Sequence, residues 1–172
     1  KMRKPLIVMM PKSLLRKKEA MSSLDDLSKG KFEVVIGETE KIAAKKVSRV
    51  VVCSGKVYYD LVAERQKREI DNIAVIRIEQ LYPFPHEEFA AQLAHYPNAK
   101  SIVWAQEEPG NQGAWHRIQH YLMRNMSADH TLSYAGRPSS ASPAVGYLAK
   151  HNEQQKELVN AALSWAVAEV KK

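Results

Sequence analysis

Cysteine occurs once in the 172 residues, at Cys53. One thiol cannot close an internal disulfide, which excludes a small cross-linked scaffold. Its place after Val50-Val51-Val52 reads as a buried strand thiol in a reducing compartment rather than as a nucleophile. No apolar run approaches the ~20 residues that cross a bilayer. The early apolar run Leu6–Met10 is also too short for a signal segment and has no small-residue cleavage site after it, so a cytoplasmic, non-membrane protein is expected. Glycine is sparse, at seven residues. Neither a multi-glycine dinucleotide fingerprint nor a phosphate-binding loop is present. Ser139, Ser140 and Ser142 lack a Gly-x-Ser-x-Gly context, so no serine triad is read. His116 and His120 are four apart on one helix, but no third ligand follows at metal-site spacing, and no metal is expected.

The hydrophobic (45%) and charged (26%) fractions are those of an ordinary globular protein, and the length suits one domain. Charge is unevenly spread. Residues 1–50 carry 13 Lys and Arg against 6 Asp and Glu, which accounts for the whole net charge of +7. The basic clusters Arg16-Lys17-Lys18 and Lys45-Lys46 are short and have no interleaved aromatics, so nucleic acid is not an expected partner. A solvated face, or one that meets an acidic neighbour, is favoured.

Leu6–Met10, ended by Pro11, suits an initial buried strand, and Lys12–Ala20 can turn helical. Ser22 or Ser23 can cap a short helix over Leu24–Ser28 that stops at Gly30. Phe32–Ile36 reads as extended and Gly37–Lys46 as a mobile loop. From Val47 the pattern alternates: strand Val47–Cys53 then helix Lys56–Glu69, strand Ile73–Ile78 then helix His86–His95, strand Ser101–Gln106 then helix Gly113–Met126. Parallel pairing follows, and strands apolar at successive positions imply helices on both faces. Thr131–Ala135 adds a strand, and Glu153–Val170 closes as an amphipathic helix with Leu158, Ala162, Trp165 and Ala166 inward. The expected fold is α/β, a three-layer sandwich with a mainly parallel sheet of about five strands. Residues 1–46 form a basic entry segment and loop, and 47–172 form the βα core and C-terminal helix.

Punctuation at the sheet's carboxyl edge marks the candidate site, since ligands favour that edge. Ser54-Gly55-Lys56 reads as a tight turn, with anion binding at the helix start as the alternative. In Leu81-Tyr82-Pro83-Phe84-Pro85 the prolines fix an extended path, and Tyr82 and Phe84 suit either docking against a second surface or covering the local core. Glu107 and Glu108 lie in the densest stretch, Gln106 through Trp115. An acid/base pair is conceivable there, but adjacent side chains diverge and no nucleophile accompanies them. An interface is favoured, with Trp115 as apolar anchor and Asn111 and Gln112 satisfying foreign backbone groups.

Five blocks occur in one order: Pro11-Lys12-Ser13-Leu14-Leu15-Arg16; Cys53-Ser54-Gly55-Lys56-Val57-Tyr58-Tyr59; Arg77-Ile78-Glu79-Gln80-Leu81-Tyr82-Pro83; Gln106 through Trp115; and Tyr134-Ala135-Gly136-Arg137-Pro138 with Ala141-Ser142-Pro143-Ala144-Val145-Gly146-Tyr147. Together they resemble the C-terminal, transketolase-like domain of the thiamine diphosphate-dependent first component of 2-oxoglutarate dehydrogenase complexes, in its Gram-negative form. The resemblance implies a homodimeric enzyme of the citric acid cycle that decarboxylates 2-oxoglutarate and succinylates lipoamide. Its implied partners are the succinyltransferase and dihydrolipoamide dehydrogenase components. Thiamine diphosphate and Mg²⁺ would be held by preceding domains, with no catalytic residue in this fragment. Some relatives bind acetyl-CoA here as an activator. Lys31 and Gln80 match that pattern, but Val34 takes a serine position and Glu87-Glu88 replaces an arginine pair, inverting the charge an anionic ligand needs. No acetyl-CoA response is expected, and a nucleotide- or acyl-CoA-responsive module stands as the alternative role.

Overall fold

A computed structural model describes residues 3–165 and resolves two compact units, one ending at Lys31 and one beginning at Phe32. In the first, 3₁₀ turns span Lys12–Arg16 and Lys18–Ala20, and a short helix α1 covers Leu24–Lys29. Ser23 caps α1 as expected. Its hydroxyl accepts the Asp26 amide at 3.1 Å while the Asp26 carboxylate accepts the Ser23 amide at 3.0 Å, which satisfies two of the helix's orphan donors. The expected buried strand at Leu6–Met10 is absent. Those residues form no strand and are exposed.

The second unit is built on a sheet of β1 (Val35–Ile36), β2 (Arg49–Cys53), β3 (Ile73–Ile78), β4 (Ser101–Pro109) and β5 (Thr131–Arg137), in the order β1-β3-β2-β4-β5. β2 runs parallel to both β3 and β4, β4 runs parallel to β5, and β1 pairs antiparallel at the edge. Helices α2 (Val57–Lys67) and α5 (Leu148–Leu163) cover one face, while α3 (His86–Ala94) and α4 (Trp115–Arg124) cover the other. Strand alternation distributes side chains between the two cores. Val50, Val52, Ile76, Ile102 and Trp104 meet Phe89, Leu93, Ile118 and Leu122, whereas Val51, Cys53, Val75 and Val103 meet Leu61, Leu158 and Ala162. Full burial of each such aliphatic or aromatic side chain stabilises by about 1.5–3 kcal/mol. The three-layer α/β expectation therefore holds, with the sheet at five strands.

The loop expected to be mobile, Gly37–Lys46, is tied to the sheet by charge. Arg65 of α2 is 1% exposed, and its guanidinium pairs with Glu38 and, at 3.0 Å, with Glu40. Glu38 also accepts the Val75 amide at 2.9 Å. Burial alone would raise the Glu38 pKa, but Arg65 and the amides outweigh it and hold the carboxyl below its ordinary range.

The closing helix begins earlier than expected, at Leu148, and ends at Leu163. Leu158 and Ala162 face inward as expected, whereas Trp165 is 59% exposed and lies beyond the helix. Ala166 and Val170 lie outside the described residues. Arg49 closes this helix end: it donates to the Ala162 carbonyl at 3.3 Å and to the Ser164 carbonyl, and lies 4.3 Å from the Trp165 ring centre. A cation there complements the helix dipole.

Candidate functional site at the carboxyl edge of the sheet

The connections leaving β2 and β4 diverge, because α2 leads to β3 on one side and α4 leads to β5 on the other. Side-by-side strands whose exits part in this way leave a crevice at their carboxyl ends. A cavity of about 620 Å³ opens there, lined on the β2 and β3 side by Ser54, Gly55, Leu81 and Tyr82, and on the β4 and α4 side by Trp104, Gln106, Glu108, Arg117, His120 and Tyr121. Gly55 takes φ +73°, a left-handed turn that favours glycine.

Gln106 organises the floor of the crevice and is 3% exposed. Its side-chain carbonyl accepts the Trp104 indole N–H at 2.9 Å and the Trp115 amide at 3.0 Å, and its amide group donates to the Gln112 carbonyl at 2.9 Å. The Trp115 amide is one of the donors that α4 cannot satisfy internally. Ala114, the residue before α4, offers no capping side chain, so a glutamine on β4 supplies the acceptor from outside the helix. Local capping rules do not detect such a partner; the only sequence signal was the glutamine's place at the end of a buried strand.

Glu107 and Glu108, adjacent on β4, diverge as expected. Glu107 pairs with Lys56 at 2.6 Å; Lys56 also reaches Asp60 at 3.3 Å, and Gln155 of α5 donates to Asp60 at 2.9 Å. Burial would lower the Lys56 pKa, but Glu107 and Asp60 outweigh it and hold the ammonium above the usual lysine value. Glu108 is exposed and lines the crevice. The two carboxylates therefore do not form an acid/base dyad. The sequence had not paired Lys56 with Glu107, because 51 positions separate them.

The other singled-out residues fall into two groups. Tyr82, 82% exposed, projects at the rim, and the Tyr82–Pro83 peptide is cis. Phe84 instead resolves to the core-covering role: it is 7% exposed, stacks on Tyr121 at 5.3 Å and meets Phe89 edge-on at 5.6 Å. Trp115 is a correction to the expected interface anchor, since it is 7% exposed and packs in the core 5.0 Å from the Tyr134 ring. Burial pushes the Tyr134 phenol up to about 12. Asn111 and Gln112 satisfy backbone of their own chain rather than foreign groups. Asn111 pairs with both the amide and the carbonyl of Ser140 at 3.0 Å, and Gln112 donates to the same carbonyl at 3.0 Å. Gln80 donates to the Pro83 carbonyl at 2.8 Å, Glu87 and Glu88 stand exposed in the first turn of α3, and Lys31 closes the first unit. His116 and His120 are exposed, and among the described residues no group of three or more His, Cys, Asp or Glu could hold a metal ion. No described helix is long and apolar enough to cross a membrane.

Comparison with known proteins places this arrangement. The chain is 64% identical over 162 residues to a 2-oxoglutarate dehydrogenase E1 component of Cupriavidus necator, covering 94% of this chain and 17% of that protein. It is 55% identical to the Coxiella burnetii protein of that name and 54% to that of Haemophilus influenzae, covering 94% and 96% of this chain and 18% of each relative. The chain thus spans less than a fifth of the curated relatives it matches. The family described as 2-oxoglutarate dehydrogenase C-terminal matches residues 21–163, most of the sequence and all five strands of its sheet, and to that family the chain belongs.

Proposed function

We propose that this chain is the C-terminal domain of a longer 2-oxoglutarate dehydrogenase E1 polypeptide, an oxidoreductase acting in the citric acid cycle in the cytoplasm. The whole protein would decarboxylate 2-oxoglutarate on thiamine diphosphate and pass the succinyl group to lipoamide. Its partners would be a second copy of itself and the succinyltransferase and dihydrolipoamide dehydrogenase components. The observation that carries this reading is the 64% identity maintained over 94% of the chain.

Thiamine diphosphate reacts through its ylid carbon and is anchored through Mg²⁺ by oxygen ligands. The residues present do not fit that group: the sequence has no Gly-Asp-Gly…Asn-like metal–diphosphate segment, and Glu107 is already matched by Lys56. Cofactor binding is assigned to parts of the longer polypeptide outside this chain. The domain's own contribution is structural. Gln106, Asn111, Gln112 and the Lys56–Glu107 pair fix the shape of the carboxyl edge. Tyr82, Glu108 and Arg117 at the crevice then offer an aromatic and charged surface to a neighbouring domain or the dimer partner.

The test compares the full polypeptide with the 172-residue chain, both supplied with thiamine diphosphate, Mg²⁺ and 2-oxoglutarate. Turnover is expected from the first alone, and decarboxylation by the short chain would overturn the assignment. Tyr82→Ala in the full polypeptide is expected to shift the dimer–monomer equilibrium or the docking of this domain, read by sedimentation and limited proteolysis. Unchanged assembly together with lost turnover would return a catalytic role to the crevice.

A further inference from the structure

Leu6, Ile7, Val8, Met9 and Met10 are 87%, 81%, 67%, 90% and 54% exposed, the densest exposed apolar run in the described chain. Among the described residues their backbone groups have no hydrogen-bond partner. A solvated loop does not have this composition. Five apolar residues in succession, two of them β-branched, present hydrophobic side chains to both faces of an extended chain, the pattern of a strand buried in a sheet covered on each side. The length, about 17 Å at 3.3 Å per residue, is that of an ordinary strand. Pro5 and Pro11 bracket the run where a proline does not interrupt a hydrogen-bond ladder.

Other observations place that strand outside the sheet described above. The family match begins only at residue 21 and the second compact unit only at Phe32, so the run lies outside both. The relatives nonetheless share 94–96% of this chain while being more than five times its length. The relatives therefore carry several times as much polypeptide beyond the part that matches this chain. The residues around it are basic: Arg3, Lys4, Lys12, Arg16, Lys17 and Lys18 against Glu19 within residues 3–20.

We infer that Leu6–Met10 is an inner strand of a second α/β sheet, one belonging to another domain of the same longer polypeptide, with acidic groups at that sheet's rim facing the flanking lysines and arginines. The segment would thus anchor this domain covalently and by strand pairing to its neighbour. This rests on the chain being part of a longer polypeptide and not on which reaction that polypeptide catalyses.

Hydrogen exchange read by mass spectrometry tests it in the full polypeptide and in the 172-residue chain. Amides 6–10 are expected to exchange about a hundredfold or more slowly in the full polypeptide and at free-peptide rates in the short chain. Equally fast exchange in both would overturn the inference. So would protection in the short chain that grows with its concentration, since the occupant would then be a second copy. Val8→Asp gives an independent readout. It should lower the Tm of the full polypeptide by about 5 °C or more and leave the short chain within about 1 °C, and no shift in either would count against the strand. Slow exchange in a full polypeptide that fails to decarboxylate 2-oxoglutarate would leave this inference standing while removing the proposed activity.

Discussion

Gln106→Met preserves the length and volume of a buried side chain but removes every hydrogen bond it makes. The Trp104 indole N–H, the Trp115 amide and the Gln112 carbonyl, now at 2.9, 3.0 and 2.9 Å, all lose their partner. A buried donor or acceptor left unmatched costs about 1–3 kcal/mol. Trp104 is 1% exposed, so its N–H bears the full penalty. The Trp115 amide is buried as well, whereas Gln112 is half-buried, so water offsets part of the loss at its carbonyl. The expected destabilisation is about 3 kcal/mol, a large share of the roughly 5–15 kcal/mol that holds a domain folded. It corresponds to a drop of roughly 10 °C in Tm for a chain of this size. Urea unfolding of the 172-residue chain, followed by tryptophan fluorescence, measures it. Gln112→Ala is the control, because the hub uses the main-chain carbonyl of Gln112, and a loss below about 1 kcal/mol is expected. A Gln106→Met loss below about 1 kcal/mol would refute the hub.

Other outcomes follow from the same geometry. The Glu38 pKa is depressed in the folded state, so the ion pair with Arg65 contributes stability above the ordinary glutamate range and loses it as pH falls through the lower folded value. Unfolding free energies should therefore fall below about pH 4.5, and Glu38→Gln should cost about 3 kcal/mol at pH 7 while flattening that acid limb. Trp115→Ala should destabilise the 172-residue chain itself by about 3 kcal/mol in denaturant titration, because the ring fills this chain's own core. Cys53 is fully buried and its thiol is pushed up by burial, so a thiol reagent at pH 8 should label it only at the rate of unfolding. Acetyl-CoA should give no thermal shift, since Glu87 and Glu88, in the first turn of α3, stand where the acetyl-CoA-binding pattern described above has an arginine pair; a rise of a few degrees would contradict this.

Legibility in the sequence followed the range of the interactions. The βα alternation is local, and strands β2, β3 and β4 appear where their apolar runs lie. Ser23 capping a helix through Asp26 spans three residues and was readable for the same reason. Trp115, Asn111 and Gln112 misled because residues suited to binding a partner are equally suited to holding a turn closed. Only the position of Ser140, 28 residues from Gln112, decides between the two roles. Glu38–Arg65 and Lys56–Glu107 were invisible because nothing local selects one distant charge over another. Leu6–Met10 was read as buried from its composition, which says that a strand wants two covered faces but not which sheet provides them.

The alternation along β2 has a consequence for how this domain can change. Val51 and Val52 are consecutive, yet one belongs to the compartment under α2 and α5 and the other to the compartment under α3 and α4. A volume change in one compartment must cross the backbone of the sheet to be felt in the other. Lesions such as Leu158→Ala and Phe89→Ala should therefore combine nearly additively, while pairs within a compartment should not. The face carrying α3 and α4, which also forms one wall of the crevice, can then be remodelled for a new neighbour while the face carrying α2 and α5 keeps the chain folded.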